Sequence, residues 1–304
     1  MTDILAQIGT VIVPVFLIVA VGYVYGRRTR IDMGAFNRIA LDVLAPCLVF
    51  ASLASKDFNL VAQAPLLLAC ALLVLGCGVV AWPLSRALGI SPRTLVPVVM
   101  FNNCGNMGLP LALLAFGPAG LTAAVALFCM SNLFHFSIGT RLTSRHARNR
   151  DLLLSPVMLA TFAGFAAALR WQPPELPLYA MKLLGDAMLP MMLFALGVRL
   201  NALTLDGARL GLAGALARPV VGLAVAVPLV LVMPALLPAS SPFTAEAAAQ
   251  LLLFAALPPA VIQFMFAEKY GQEPDKVAAM VLLGNALAVV FVPVGLVLGR
   301  ALGN

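Results

Sequence analysis

Apolar residues run along this chain in long blocks, and short segments between the blocks carry almost all of the charge. About twenty apolar residues, rising 1.5 Å each as a helix, cross the hydrocarbon core of a bilayer, so blocks of this length predict membrane-spanning helices. Ten spans are predicted, at about 4–26, 35–54, 60–84, 95–116, 121–141, 153–169, 178–198, 210–236, 247–270 and 277–298. Two of them are interrupted. Span 95–116 contains Asn102-Asn103-Cys104-Gly105-Asn106-Met107-Gly108-Leu109-Pro110, and span 247–270 contains Pro258-Pro259. A helix in lipid gains nothing from such residues, because unpaired backbone groups and amide side chains are costly in hydrocarbon.

The local chemistry predicts how these helices break. Gly105 and Gly108 lower helix propensity, while Pro110 removes a donor and clashes with the preceding turn. Together they should open the helix over 102–106, and Pro258-Pro259 should do the same in the other half. Broken helices at corresponding positions of two halves are the signature of a secondary transporter with its site near the membrane midplane. An opened helix exposes backbone amides at the start of its second half, where the dipole favours an anion, and asparagine amides add donors for a carboxylate. Gly and Pro could also simply kink packed helices, and Asn could hydrogen-bond between them. The occurrence of both breaks at matched positions favours a site.

The halves resemble each other. Asp42-Val-Leu-Ala-Pro46-Cys-Leu-Val-Phe50 and Asp186-Ala-Met-Leu-Pro190-Met-Met-Leu-Phe194 share Asp, Pro and Phe at the same offsets. Residues 103–117 match 257–271, and Asn132 and Asn285 lie at similar distances beyond. Five spans per half is an odd number, so the halves, 1–146 and 147–304, would be inserted upside down relative to each other. The expected fold class is thus an all-α integral membrane protein of ten transmembrane helices in two inverted five-helix repeats, with crossed broken helices.

Composition agrees. Of 304 residues, 62% are hydrophobic and 10% charged, against about 25% charged in soluble domains. The net charge of +7 is spread over short loops, which membrane topology explains better than a nucleic-acid partner does. Arg27, Arg28, Arg30 and Arg38, then Arg86 and Arg93, then Arg141, Arg145, Arg148 and Arg150, then Arg199 and Arg209, then Lys269 and Lys276 follow alternate spans. The other side receives Lys56, Arg170, Lys182 and Arg300. That alternation predicts a plasma-membrane (bacterial inner-membrane) protein with both termini outside the cytoplasm. Met1-Thr2-Asp3 lacks a basic leader, and the first apolar run is long enough to span, so no cleavable signal is expected. The five cysteines lie in apolar stretches and read as small hydrophobes.

Ionisable residues inside spans are functional candidates by default. Asp42 and Asp186 are candidates for ion coupling, since a carboxylate in low dielectric could exchange protons; a structural hydrogen bond or a short reach to the interface competes with that reading. Arg218 could attract an anion, but snorkelling to the cytoplasmic surface is the expectation. His135 reads as a packing residue. Gln263 could face the cavity or pair with a neighbouring helix. There is no HExxH, GxSxG, GxxxxGK[ST] or CxxC sequence, and His135 and His146 cannot build a metal cluster. No enzyme, cofactor or metal site is expected, and energy must come from an ion or substrate gradient.

These motifs resemble the auxin efflux carrier family, which includes plant PIN proteins and bacterial carriers proposed for malate or malonate. The most specific stretches are Asn103-Cys-Gly-Asn-Met-Gly-Leu-Pro110-Leu with Phe116-Gly117, and Ala256-Leu-Pro258-Pro259-Ala-Val-Ile-Gln-Phe264-Met-Phe266-Ala267-Glu-Lys-Tyr270, supported by Asp186 through Leu196-Gly197. The resemblance implies a fold similar to bile-acid symporters and sodium/proton antiporters. It implies a scaffold at 1–58 and 152–203 that carries a moving crossover unit at 59–146 and 204–304, an elevator mechanism, and homodimerisation through the scaffold. In the plant branch, the asparagine corresponding to Asn103 helps hold the substrate carboxylate. Backbone corresponding to Pro259, Ala260 and Val261 completes the site. Plant carriers also have a carboxylate early in the third span where this chain has Gln63, and a long cytoplasmic loop where this chain has only 143–151. A bacterial organic acid is therefore a better substrate expectation than auxin.

The expected substrate-binding set is Asn102, Asn103, Cys104, Gly105, Asn106, Pro258, Pro259, Ala260, Val261 and Gln263, with Gly108 and Pro110 as helix breakers. The expected partners are a small organic anion, the lipid bilayer and a second copy of the chain. Rival readings are a cation/proton antiporter or sodium-coupled symporter working through Asp42 and Asp186, and a membrane sensor that does not transport.

Overall fold

Every regular element among the described residues is helical. The structure, a computed structural model, describes residues 2–29, 33–56, 58–144, 153–171, 173–201, 208–237 and 243–302. Arg30, Arg145, His146, Arg148, Arg150 and Asp151 of the predicted loops lie outside the described residues. The first half comprises α1 (Thr2–Arg28), α2 (Met33–Ile39), α3 (Ala45–Leu53), α4 (Leu60–Ala87), α5 (Pro92–Met100), α6 (Leu109–Phe134) and α7 (Thr140–Thr143). The second half comprises α8 (Pro156–Arg170), α9 (Glu175–Leu200), α10 (Ala208–Leu236), α11 (Ala245–Ala256), α12 (Val261–Tyr270) and α13 (Pro274–Leu302).

Among the described residues, seven helical stretches are long and apolar enough to cross a membrane, and α8 and α11 are shorter apolar helices. Counting by length hides two divisions. Predicted spans 95–116 and 121–141 largely merge into one stretch, Cys104–Thr143, which Gly117 interrupts with φ 73° and ψ −169°. Predicted span 247–270 is split into α11 and α12, of 12 and 10 residues, each too short to cross alone. The two matched glycines both have positive φ: Gly271, which ends α12, is left-handed, with φ 64° and ψ 29°. Only glycine adopts such a conformation without a Cβ penalty.

Wide π-type turns occupy Ala40–Leu44, Cys104–Gly108 and His135–Gly139. The first two each end two residues before a proline, Pro46 and Pro110. A proline cannot donate to the carbonyl one turn back and its ring presses on that carbonyl, so the helix widens to admit an extra residue.

Packing sorts the helices. α1 lies along α9, and α3 packs against both α8 and α9. Elsewhere α10 and α11 pack on α13, and α4 packs on α5, α6 and α10. Lipid offers no hydrophobic drive for helix association, so close backbone approach at small residues matters instead. Gly197 on α9 is such a point: a Cβ there would sit 1.9 Å from the carbonyl oxygen of Val19 on α1.

Candidate functional site

The two interrupted segments cross each other. After α5 the backbone leaves helical geometry at Phe101 (φ −112°, ψ 125°) and resumes a turn at Cys104. After α11 it is extended at Leu257 (φ −63°, ψ 148°) and again at Ala260. The extended stretches run antiparallel: Asn102 and Pro259 form an isolated bridge. Asn103 N donates to Pro258 O at 2.8 Å, and Ala260 N donates to Phe101 O at 3.0 Å. Each broken helix thus satisfies part of the other's exposed backbone, which is how irregular chain survives at membrane depth.

Side chains lock the crossing. Asn103 Nδ2 donates to Asn285 Oδ1 on α13 at 2.6 Å. Asn285 Nδ2 in turn donates to Pro259 O at 3.2 Å and Val281 O at 2.8 Å. Asn102 Nδ2 donates to Phe254 O, near the end of α11, at 2.6 Å, while its Oδ1 is buried without a partner. Gly284, beside Asn285, lets α13 approach: a Cβ there would lie 2.4 Å from Pro259 Cδ.

Two half-helices start at this crossing. Asn103 O accepts from Met107 N at 3.2 Å and Gly108 N at 3.1 Å, so the amides of Cys104, Gly105 and Asn106 lead the turn without acceptors in it. Gln263 N closes on Ala260 O at 3.1 Å, leaving Val261 and Ile262 at the head of α12. Neither start has a side-chain cap. Each bears roughly half a positive charge from its dipole. Asn102, Asn103 and Cys104 are buried, as are Pro258, Pro259, Ala260 and Val261, whereas Gly105 and Asn106 are half-buried. Gly108 and Pro110 are buried at the turn between the opened chain and α6.

Gln263 pairs with neighbouring helices. Its Oε1 lies 2.9 Å from His135 Nε2, and its Nε2 donates to Thr143 Oγ1 at 3.1 Å. An amide oxygen only accepts, so His135 carries its proton on Nε2 in this arrangement. The His135 ring stacks on Phe101, with centroids 4.0 Å apart and planes 4° apart. The packing residue expected at 135 is therefore also a polar partner of the crossover.

Among the described residues, neither aspartate hydrogen-bonds to this network. Asp42 is exposed on the wide turn before Pro46, and Asp186, half-exposed on α9, accepts a hydrogen bond from Lys182 Nζ at 2.6 Å. Arg218 departs from its snorkelling expectation: it is fully buried, with Nη1 donating to Ala255 O at 3.2 Å and Nη2 to Phe254 O at 3.4 Å. Asn285 was visible in sequence only as half of a repeat match. Its signal as a site residue is a lone amide in an otherwise apolar span.

Two helices broken at mid-length and crossed backbone to backbone, in an all-helical bundle with several apolar spans, define a multi-pass membrane transport protein. The chain belongs to the family described as membrane transport protein, that of the auxin efflux carriers, whose profile matches residues 8–152 and 145–296. It is similar to the "Putative malonate transporter" of Rhizobium meliloti (strain 1021), with 27% identity over 317 residues, covering 94% of this chain and 93% of that one.

Proposed function

We propose that this chain is a secondary-active carrier of a small organic anion, a mono- or dicarboxylate such as malonate, in the bacterial inner membrane. The observation that carries the reading is the convergence of two uncapped half-helix starts, at 104–106 and 261–262, on one backbone crossing fixed by Asn103 and Asn285. Peptide dipoles aimed at one point receive a carboxylate without needing a protein cation in contact. The Rhizobium relative's name supplies the first substrate to test.

The packing supports a division of labour. α1, α3, α8 and α9 hold one another, while α4, α5, α6, α10, α11, α12 and α13 gather around the crossing. In this reading the first group, within 1–58 and 152–203, is a scaffold. The second, within 59–146 and 204–304, slides as a unit and presents the crossing to alternate sides. Ten spans in two inverted repeats, with both termini outside the cytoplasm, complete the reading, supported by the positive φ of Gly117 and Gly271 at matched positions. Exposed Val13, Leu17 and Val21 on α1 and Tyr179 and Leu183 on α9 offer an apolar scaffold face for a second copy. A cation-coupled reading would work through Asp42 and Asp186, which are exposed and paired with Lys182 respectively and share no hydrogen bond with the crossing.

The test is a thermal-shift series of mono- and dicarboxylates on purified protein, followed by flux in proteoliposomes with and without an imposed proton or sodium gradient. A ligand at 100 times its Kd stabilises the native state by about 2.7 kcal/mol. A carboxylate that raises the melting temperature and is carried across the bilayer supports the reading; a full series with neither effect overturns it.

A further inference from the structure

Arg218 is the largest side chain fully buried among the described residues, at 1% exposure. It stands on α10 just before Pro219, and no carboxylate pairs with it among the described residues. A buried guanidinium without a counterion is costly and persists only where something compensates it. The compensation here is partial. Nη1 and Nη2 reach the carbonyls of Ala255 and Phe254, and Nε has no hydrogen-bond partner. Those carbonyls are among the last of α11, at the negative end of its dipole.

The helix is shaped for this contact. Gly222 lies one turn beyond Arg218, and a Cβ there would sit 2.2 Å from Arg218 Nη1 and 2.2 Å from Ala255 O. A glycine notch therefore opens the seat in which the guanidinium meets α11. The same Phe254 oxygen also accepts from Asn102 Nδ2 at 2.6 Å, so the charge is one carbonyl away from the bridge between Asn102 and Pro259.

Four half-helix ends meet at the crossing: the starts at 104–106 and 261–262, and the ends of α5 and α11. Dipole ends of roughly half a charge each would nearly cancel. Arg218 changes the sum, because a full positive charge sits on one of the two negative ends. The crossing is left with an excess of positive charge that no carboxylate among the described residues neutralises.

We propose that Arg218 is the fixed countercharge of the crossing: it sets the preference for anionic over uncharged ligands, and a bound carboxylate completes the charge balance. This rests on the carboxylate reading above. Arg218 acts at a distance through the field at the crossing, as a positioning residue for charge.

The experiment measures Kd for malonate, for malonamate (one carboxylate replaced by an amide) and for the neutral malonamide. It uses purified wild-type protein, Arg218→Lys and Arg218→Gln. The wild type should favour malonate over malonamide, and Arg218→Lys, which keeps the charge, should hold that ratio to within about threefold. Arg218→Gln should bring the ratio at least about tenfold closer to one, the size expected for a unit charge roughly 10 Å away at an effective dielectric of about 20. An unchanged ratio in folded Arg218→Gln overturns the proposal. So does loss of the ratio in folded Arg218→Lys, which would mark a packing role for the planar guanidinium. That arm decides alone if the glutamine variant does not fold. Wild-type protein that binds none of the three compounds overturns malonate as the ligand, and the comparison is then made with the acid and amides of the carboxylate that the thermal-shift series finds; a full series without a binder overturns the carboxylate reading, and the countercharge with it.

Discussion

Asn103 and Asn285 are 182 residues apart in sequence, yet the side-chain Nδ2 of the first donates to Oδ1 of the second at 2.6 Å. Asn285 also donates to Pro259 O, so one side chain on α13 touches both broken segments. Replacing it orphans a buried donor on Asn103 and removes a partner of Pro259, each worth about 1–3 kcal/mol. Asn285→Ala should lower the melting temperature and reduce carboxylate flux by roughly tenfold or more, since about 1.4 kcal/mol is already a factor of ten. Wild-type flux in this variant would show that the crossing does not need its clamp.

Gln263 joins α12 to His135 and Thr143. Gln263→Leu has a similar size but leaves the His135 proton without a partner in a buried place, at about 1–3 kcal/mol, while the Thr143 hydroxyl keeps its bond to Gly139 O. The expected outcome is a lower melting temperature in detergent. Gln263→Glu, which still accepts from His135, should lose less. Equal stability of the two variants would contradict the assignment.

In the loop before α13, Glu273 accepts from Thr94 and pairs with Lys276, and Gln272 Nε2 donates to Thr94 Oγ1 at 3.0 Å. These contacts tie the start of α5 to the loop between α12 and α13. The hydrogen bond from Lys276, then that from Thr94, hold the Glu273 carboxyl below its ordinary value of 4.5. A depressed carboxylate contributes stability that is present above its unfolded value and lost as pH falls through the folded one. Thermal melts should therefore separate wild type from Glu273→Gln at pH 7, and the gap should close as pH drops below about 4. A gap that persists in acid would assign the effect to something other than the charge.

Gly197 permits the contact of α9 with α1. Gly197→Val places atoms where the Val19 carbonyl stands and should cost at least about 1–3 kcal/mol, because overpacked interfaces must shift backbone. Size-exclusion profiles of purified protein should show loss of the monodisperse species. A normal profile with an unchanged melting temperature would show that α1 and α9 can separate freely.

The broken helices were legible in sequence because their cause is local: Gly105, Gly108, Pro110 and the Pro258-Pro259 pair act on their own backbone. What the breaks bond to was not legible. The Asn102–Pro259 bridge and the Asn285 clamp depend on which helix faces meet, and that is decided by contacts spanning more than a hundred residues. Arg218 shows the same limit. Its composition and position favoured a reach to the surface, but the notch at Gly222 and the carbonyls of Ala255 and Phe254 seat it inside. The aspartate match between Asp42 and Asp186 was real as a pattern, but the side chains sit in different surroundings: one is exposed on a wide turn and the other is bonded to Lys182.

The central claim is that the crossing of the two opened helices, fixed by Asn103, holds the transported carboxylate. Counterflow of radiolabelled malonate into proteoliposomes loaded with unlabelled malonate tests it most directly, comparing wild type with Asn103→Ala protein that is folded and monodisperse at the assay temperature. Label should accumulate with the wild type and fall to the level of protein-free liposomes with Asn103→Ala. Equal accumulation in the two would contradict the claim.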